Sequence, residues 1–191
     1  MENSLNYEDY CSSSCGTDDR EACQKHWVAL LVQMNCEKKV ALKLSKLGYE
    51  VYLPVQTEMR QWSDRKKKIE RIVIPMVLFI RVSIEEAQQV KRLSFIRKFM
   101  TYPGSKDIAT YIPEEQISQL RFLLENAQDK VAVISEINVG DSVKVKDGPL
   151  MGLSGAVCMA ESGRLMVAIR IEGLGYACVN VPKSSLEVLV M

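Results

Sequence analysis

Between Val139 and Val157 the chain reads Val-Gly-Asp-Ser-Val-Lys-Val-Lys-Asp-Gly-Pro-Leu-Met-Gly-Leu-Ser-Gly-Ala-Val, a pattern of two short strands with a glycine-punctuated turn region between them. Val143 and Val145 alternate with Lys144 and Lys146, so one strand face is apolar and the other wet. Asp147-Gly148-Pro149 is strong turn chemistry. Gly152 and Gly155 fall where a small barrel needs either positive φ or room for a crossing strand. The rest of the C-terminal region continues the pattern and predicts five strands, at about 142–146, 154–160, 164–171, 175–181 and 186–189, with Gly163 and Gly173-Leu174-Gly175 marking two of the turns. Leu165, Met166 and Ala168 would tolerate a helix, but Ile169, Ile171, Gly173 and Gly175 favour strand.

Upstream the periodicity changes. Trp27 to Gln33 is a hydrophobic strand, and Asn35 is placed to cap a helix through about Leu47 whose Val40, Leu44 and Leu47 share a face before Gly48 ends it. Val51 to Met59 and Arg71 to Val82 read as two strands with a charged, protruding hairpin between them. Ser83-Ile-Glu-Glu86 is a capping box that starts a short helix, Phe95 to Tyr102 reads as a strand, and Pro113 opens a final helix to about Asn126 with Ile117, Leu120 and Leu124 on one stripe. The order β-α-β-β-α-β-α predicts an α+β domain over residues 26–126. Residues 1–25 lack periodicity and read as a flexible tail, and residues 127–138 as a linker before a barrel over 139–191. Val131, Val133, Ile134 and Ile137 make that linker more apolar than a free tether, so docking on one domain is its other reading.

Charge separates the regions. Residues 1–26 carry 2 basic and 6 acidic side chains (−4), residues 27–138 carry 18 and 13 (+5), and residues 139–191 carry 5 and 5 (0). A positive N-terminal domain suits nucleic acid, and a neutral barrel suits a protein partner. No apolar run approaches the roughly 20 residues that span a bilayer, and no basic n-region precedes an apolar h-region, so the expected location is the cytoplasm, away from membranes. Among the six cysteines, Cys158 and Cys178 sit in apolar strand patterns as small core residues. Cys11, Cys15, Cys23 and His26 have ligand types suited to zinc, but their spacing is not a standard knuckle, and a tail that happens to hold thiols explains them as well, so no metal or other cofactor is assigned. His26 is the single histidine. No nucleophile–base arrangement, phosphate loop or carboxylate pair in an apolar setting stands out, which argues against an enzyme.

Three groups of residues are candidates for function. Lys39, Lys43 and Lys46 fall on one face of the first helix, where like charges repel one another unless a polyanion lies alongside; a solvated face is the plainer alternative. Arg60, Arg65, Lys66, Lys67, Lys68 and Arg71 crowd the hairpin with Trp62 among them, a mixture able to pair phosphates and stack a base. Ile72, Ile74, Pro75, Met76, Val77 and Phe79 form a run more apolar than one buried strand face requires, which points to core plus a protein-binding patch. Leu150, Met151 and Leu153 beside the barrel glycines are either barrel core or a second protein contact.

The segment around Gly148, Pro149, Gly152 and Gly155 resembles the KOW motif, which opens an SH3-like β-barrel. Preceded in order by Trp27-Val-Ala-Leu-Leu-Val32, Asn35-Cys-Glu-Lys-Lys-Val40, Gly48-Tyr-Glu-Val-Tyr-Leu-Pro54, Ile74-Pro-Met-Val-Leu-Phe-Ile80 and Phe95-Ile-Arg-Lys-Phe99, it makes residues 27–189 similar to NusG-family transcription elongation factors. The resemblance implies a ferredoxin-like N-terminal domain whose apolar depression, at the position of Ile74-Pro75-Met76-Val77, grips the clamp of the largest RNA polymerase subunit. Relatives usually read Phe-Pro-Gly-Tyr there. It implies that the first helix faces non-template DNA, that the hairpin projects toward polymerase and upstream DNA, and that the barrel meets a ribosomal small-subunit protein or Rho. The acidic, cysteine-bearing tail and the missing Gly-Tyr pair resemble the UpxY (RfaH-like) group of specialised antiterminators of capsular polysaccharide operons. A KOW-type RNA-binding or ribosome-associated protein is the alternative from another class.

Overall fold

The computed structural model describes residues 24–61, 66–102, 109–135, 137, 140–159 and 165–189. Its first sheet is built from β1 (His26–Val32), β2 (Glu50–Tyr52), β5 (Val77–Val82) and β6 (Ile96–Phe99), in the order β2-β5-β1-β6, with β7 (Tyr111–Ile112) also pairing with β1. α1 (Glu37–Lys46) joins β1 to β2, and α2 (Ile84–Lys91) joins β5 to β6. Each β-α-β unit therefore spans a strand from the other unit, the split arrangement that interleaves two crossovers in one antiparallel sheet. β1 and β5 are buried on both faces, so they read as continuous apolar runs instead of alternating ones.

Two layers cover the sheet. Val28, Leu30, Val32, Leu78 and Ile80 pack with Val40 and Leu44 of α1 and Val90 of α2. Trp27, Ala29, Val77 and Phe79 belong to a second cluster with Ile117, Leu120, Leu123 and Leu124 of α3 (Glu114–Asn126). That cluster runs on, without a break in buried apolar contact, into Val143, Val145, Val167, Ile169 and Val179 of the C-terminal sheet. Burying a side chain of this size contributes about 2 kcal/mol, so the joint between the sheets is a cohesive one. Arg121 of α3 lies over the rings of Trp27 and Tyr52, with ring centroids 5.3 and 4.8 Å from its Cζ.

The capping box forms as its spacing predicts: the Ser83 hydroxyl accepts from Glu86 N and the Glu86 carboxylate accepts from Ser83 N. Other predicted elements move. The two long strands expected over 51–59 and 71–82 are each divided near a proline, Pro54 and Pro75, giving β2 and β3 (Val55–Gln61), and β4 (Lys66–Ile72) and β5. Proline supplies no N–H to a ladder, so pairing changes partners there. Asn35 does not cap α1. It takes φ 63° in the turn before it, and Cys36 stands at the cap position without a side-chain bond. Leu47, expected on the buried face, falls one residue beyond α1 and is exposed.

The C-terminal strands β9 (Ser142–Val145), β10 (Ser154–Met159), β11 (Leu165–Ile171), β12 (Gly175–Asn180) and β13 (Leu186–Val188) lie within a residue or so of the expected spans. The sheet order is β13-β9-β10-β11-β12-β8, in which β8 (Ala132–Ile134) comes from the expected linker and pairs with β12. Among the described residues β13 and β8 are its two outer strands, and no pairing closes it into a barrel. Gly155 has a steric role: a Cβ there would lie 2.6 Å from Ala168 O and 2.8 Å from Val167 Cγ1, so β10 and β11 approach only because the side chain is absent. Gly148 and Gly152 take φ 86° and 91°, which shape the turn between β9 and β10.

Candidate nucleic-acid interface and apolar turn

Packing of Val40 and Leu44 against the first sheet leaves the adjoining side of α1 outward, and Lys39, Lys43 and Lys46 are all exposed there. At a rise of about 1.5 Å per residue, they span about 10 Å of helix. Leu42, 64% exposed, lies within this row. Lys43 Nζ sits 5.0 Å from the centroid of the Phe95 ring, which ties the row to the start of β6. On the other side, Lys38 Nζ meets the Glu70 carboxylate of β4 at 2.7 Å, so α1 also runs beside the hairpin. The Lys38 hydrogen bond holds the Glu70 carboxyl below its ordinary range.

The hairpin pairs β3 with β4 in regular register from Val55↔Ile72 to Gln61↔Lys66. Arg60 and Lys67 are register partners near its outer end, and Lys68 is exposed. Trp62 and Arg65 lie outside the described residues, as do Cys11, Cys15 and Cys23 of the considered zinc run, while His26 packs against Tyr111 with ring centroids 5.0 Å apart. Arg71 does not belong with the basic tip. It sits at the hairpin base, paired with Glu58, and donates to Gln56 Oε1 at 3.1 Å and to Val131 O at 2.9 Å. The two bonds from Nη2 and the ion pair at Nε give it a structural role in this arrangement.

Gln56 is the hub of that base. It is 2% exposed, donates to Asp129 O at 2.7 Å, and accepts from Val131 N at 3.1 Å as well as from Arg71. The segment after α3 is thereby fastened to the hairpin before β8 adds to the C-terminal sheet.

The apolar run forms a fixed turn. Met76 takes φ 65°, its N–H donates to Glu37 Oε1 at 2.9 Å, and its carbonyl accepts from Val32 N at 2.9 Å. Glu37, in the first turn of α1, is 3% exposed and ties the turn to the helix start, where the macrodipole favours an acidic residue. Pro75 is exposed and Ile72 and Met76 are half-buried, whereas Ile74, Val77 and Phe79 are core at 6%, 5% and 0% exposure. Phe79 also stacks on Tyr52, with centroids 5.9 Å apart. In this conformation the surface of the turn is Ile72, Pro75 and Met76, and the other three support it from beneath. Glu37 and Gln56 escaped the sequence reading because a buried polar residue has no local signature when its partner lies far along the chain.

In the β9–β10 turn, Leu150 and Leu153 are buried and Met151 is 65% exposed, which divides the apolar loop residues into core and surface. Pro149 is exposed beside them. Met151 and the half-exposed Phe122 of α3 flank a shallow groove where the C-terminal sheet meets the helix. A few residues away, Gln116 of α3 accepts from Glu172 N at 2.8 Å. Among the described residues no group of three or more His, Cys, Asp or Glu side chains is arranged to hold a metal ion, and no helix is long and apolar enough to cross a membrane.

Comparison with known proteins agrees with these features. Residues 25–121 match the family model described as "Transcription termination factor nusG". The chain is similar to the transcription termination/antitermination protein NusG of Escherichia coli O6:H1, with 24% identity over 164 residues, 80% of this chain and 91% of that protein. It is also similar to the protein of the same name from Rickettsia typhi, with 26% identity over 163 residues, 78% of this chain and 83% of the relative. A solved structure described as "Domain interaction in Thermotoga maritima NusG" aligns at 21% identity and a TM-score of 0.45, over 87% of this chain and 98% of the other. With half of its length matched by one family model and the ordered set of strands, helices and glycine turns in place, the chain belongs to the NusG family.

Proposed function

We propose that this chain is a transcription elongation and antitermination factor. In this reading the Ile72–Met76 surface docks on the clamp of RNA polymerase while the lysine row of α1 and the hairpin tip lie along non-template DNA. A ferredoxin-like N-terminal domain and an SH3-like KOW barrel carry those roles. The observation that supports it best is the pinned turn. Glu37 and Val32 hold Met76 in a left-handed conformation, presenting Pro75 and Met76 on a rigid base of Ile74, Val77 and Phe79. A preorganised apolar surface limits the ordering entropy lost on docking. Such a factor acts only through its differential affinity for the clamp conformation it favours, and a closed clamp disfavours pausing.

The acidic cysteine-bearing N-terminus and the absence of a Gly-Tyr pair after Pro75 support a specialised paralog serving particular operons, such as those for capsular polysaccharide. The test is retention of core RNA polymerase by the full chain, compared with Met76→Asn and Pro75→Asp. Asparagine tolerates the left-handed backbone, so Met76→Asn removes the apolar contact without straining the turn. Retention lost in both folded variants supports the reading. Equal retention by all three moves the contact elsewhere, and capture of RNA or ribosomes without polymerase gives the RNA-binding alternative its place.

A further inference from the structure

We propose that the acidic segment 1–23 of this chain binds its own lysine row on α1, so that any other polyanion reaches that face only by displacing the N-terminal carboxylates. The contact involves the row to which non-template DNA is assigned above, and the closing experiment separates the two readings.

Three observations carry it. First, the segment and the row are complementary in charge. Residues 1–23 hold Glu2, Glu8, Asp9, Asp18, Asp19 and Glu21 against a single Arg20. Lys39 and Lys46 are exposed and form no ion pair with any described residue. With Lys43 they stand one helical turn apart and repel one another, a cost that a run of carboxylates removes. Second, the chain leaves the fold on the right face. Lys25, next to the segment, pairs with Glu86 in the first turn of α2 at 2.7 Å. α1 and α2 share the buried cluster on one layer of the first sheet, whereas the C-terminal sheet joins the cluster on the other. Third, the reach is sufficient. Asp9 stands 16 residues before Lys25. A coil of that length has a root-mean-square reach of about 22 Å, against about 12 Å for the whole length of α2.

The chemistry of the segment fits the row beyond net charge. Tyr7-Glu8-Asp9-Tyr10 sets two carboxylates between two rings. The exposed Leu42 offers a ring an apolar seat within the row, and a lysine ammonium attracts the face of a tyrosine. Carboxylates thus stand where phosphates would and rings where bases would, so segment and nucleic acid compete for the same groups. The base of the hairpin is the poorer match, because Glu58 and Glu70 already pair with Arg71 and Lys38 there. A second copy's row is disfavoured as the seat, since a short link gives a segment an effective concentration on the order of 1 mM at its own chain.

The test is paramagnetic broadening of amide resonances in the full chain. A nitroxide is attached to Cys11 of a C15S/C23S/C36S chain, in which the remaining Cys158 and Cys178 are buried. The amides of Lys39, Lys43 and Lys46 should broaden at low salt and recover at about 0.5 M salt, where the Debye length falls to about 4 Å. They should also recover in the neutralised chain E2Q/E8Q/D9N/D18N/D19N/E21Q, while Lys144 and Ile169 of the C-terminal sheet stay sharp throughout. No broadening on α1, equal broadening in the neutralised chain, or broadening centred on Lys68 of the hairpin overturns the proposal. Broadening of an isotope-enriched, unlabelled chain by a labelled, unenriched one moves the contact to a second copy and also overturns it. Anisotropy with an oligo(dT) strand separates the two readings. For an effective concentration on the order of 1 mM and a segment affinity on the order of 0.1 mM, the neutralised chain should bind the strand about tenfold tighter than wild type at low salt. Broadening on α1 with no oligonucleotide binding by either chain upholds the segment and removes the nucleic-acid reading. Equal oligonucleotide affinity without broadening overturns the segment and leaves the nucleic-acid reading in place.

Discussion

Replacing Gln56 with leucine should release the segment that follows α3. The side chain is 2% exposed, donates to Asp129 O at 2.7 Å, and accepts from Val131 N and Arg71 Nη2 at 3.1 Å each. Leucine has similar bulk but cancels these three bonds and the longer one to Ala127 O at 3.5 Å. It also leaves the amide of Val131, itself 1% exposed, without a partner. Three net hydrogen bonds at about 1 kcal/mol each and one orphaned buried amide at about 1–3 kcal/mol are offset in part by added apolar burial and by relaxation of the freed segment; a net loss of about 3 kcal/mol is expected. With a urea slope of about 1–3 kcal/mol per molar, the midpoint falls by about 1–3 M. Hydrogen exchange gives the local readout: the Val131 amide, protected in wild type, should exchange much faster in Gln56→Leu, while Leu30 and Leu78 in the first sheet keep their protection. A midpoint shift below about 0.3 M with Val131 still protected would refute the idea that Gln56 fastens this segment.

Other perturbations test separate parts of the structure. Glu37→Leu should loosen the Pro75–Met76 turn and lower stability by about 2 kcal/mol in thermal or urea unfolding, whereas Glu37→Gln, which keeps an acceptor for Met76 N, should cost less than half as much. Gly155→Ala puts a methyl 2.6 Å from Ala168 O, so β10 and β11 must part; expect a loss of about 3 kcal/mol or an unfolded C-terminal sheet by circular dichroism. The Glu86 carboxyl is held below its ordinary value of 4.5 by hydrogen bonds from Lys25 and from Ser83 N. Its contribution to stability is therefore present above that value and lost as pH falls through the depressed one, so the Tm gap between wild type and Glu86→Gln should shrink on acidification below pH 4.5. Burial pushes the Cys178 thiol up to about 12, so iodoacetamide at pH 8 should label it only after unfolding, as read by peptide mass spectrometry.

Legibility in the sequence followed the range of the interactions. The C-terminal strands were readable to a residue or so because alternation and glycine turns are local, and the Ser83–Glu86 box because its partners are three residues apart. The apolar residues Val131, Val133 and Ile134 argued against a free linker. That β8 would pair with β12 depends on contacts more than 40 residues away, such as Ile134↔Tyr176. The lysine row on α1 was evident from helical spacing. The structural role of Arg71 was not, because composition places it with the basic hairpin while its partners Glu58, Gln56 and Val131 are known only once the chain is folded. Likewise the Ile72–Phe79 run was recognisably both core and surface, and the division between the two required the turn that Glu37 sets.

The fastening at Gln56 changes what kind of tether joins the two sheets. Twelve unrestrained residues, 127–138, would let the C-terminal sheet wander over a root-mean-square distance of about 19 Å, and its encounters would be set by chain length and composition. Instead residues 127–131 are held on the hairpin base and 132–134 are strand, so this upstream part of the tether has no slack. Departure of the C-terminal sheet from α3 then becomes a discrete opening event with a lifetime. Lengthening the downstream half of the tether should hardly alter how often its surfaces meet a partner, whereas one substitution at the hub should alter it greatly.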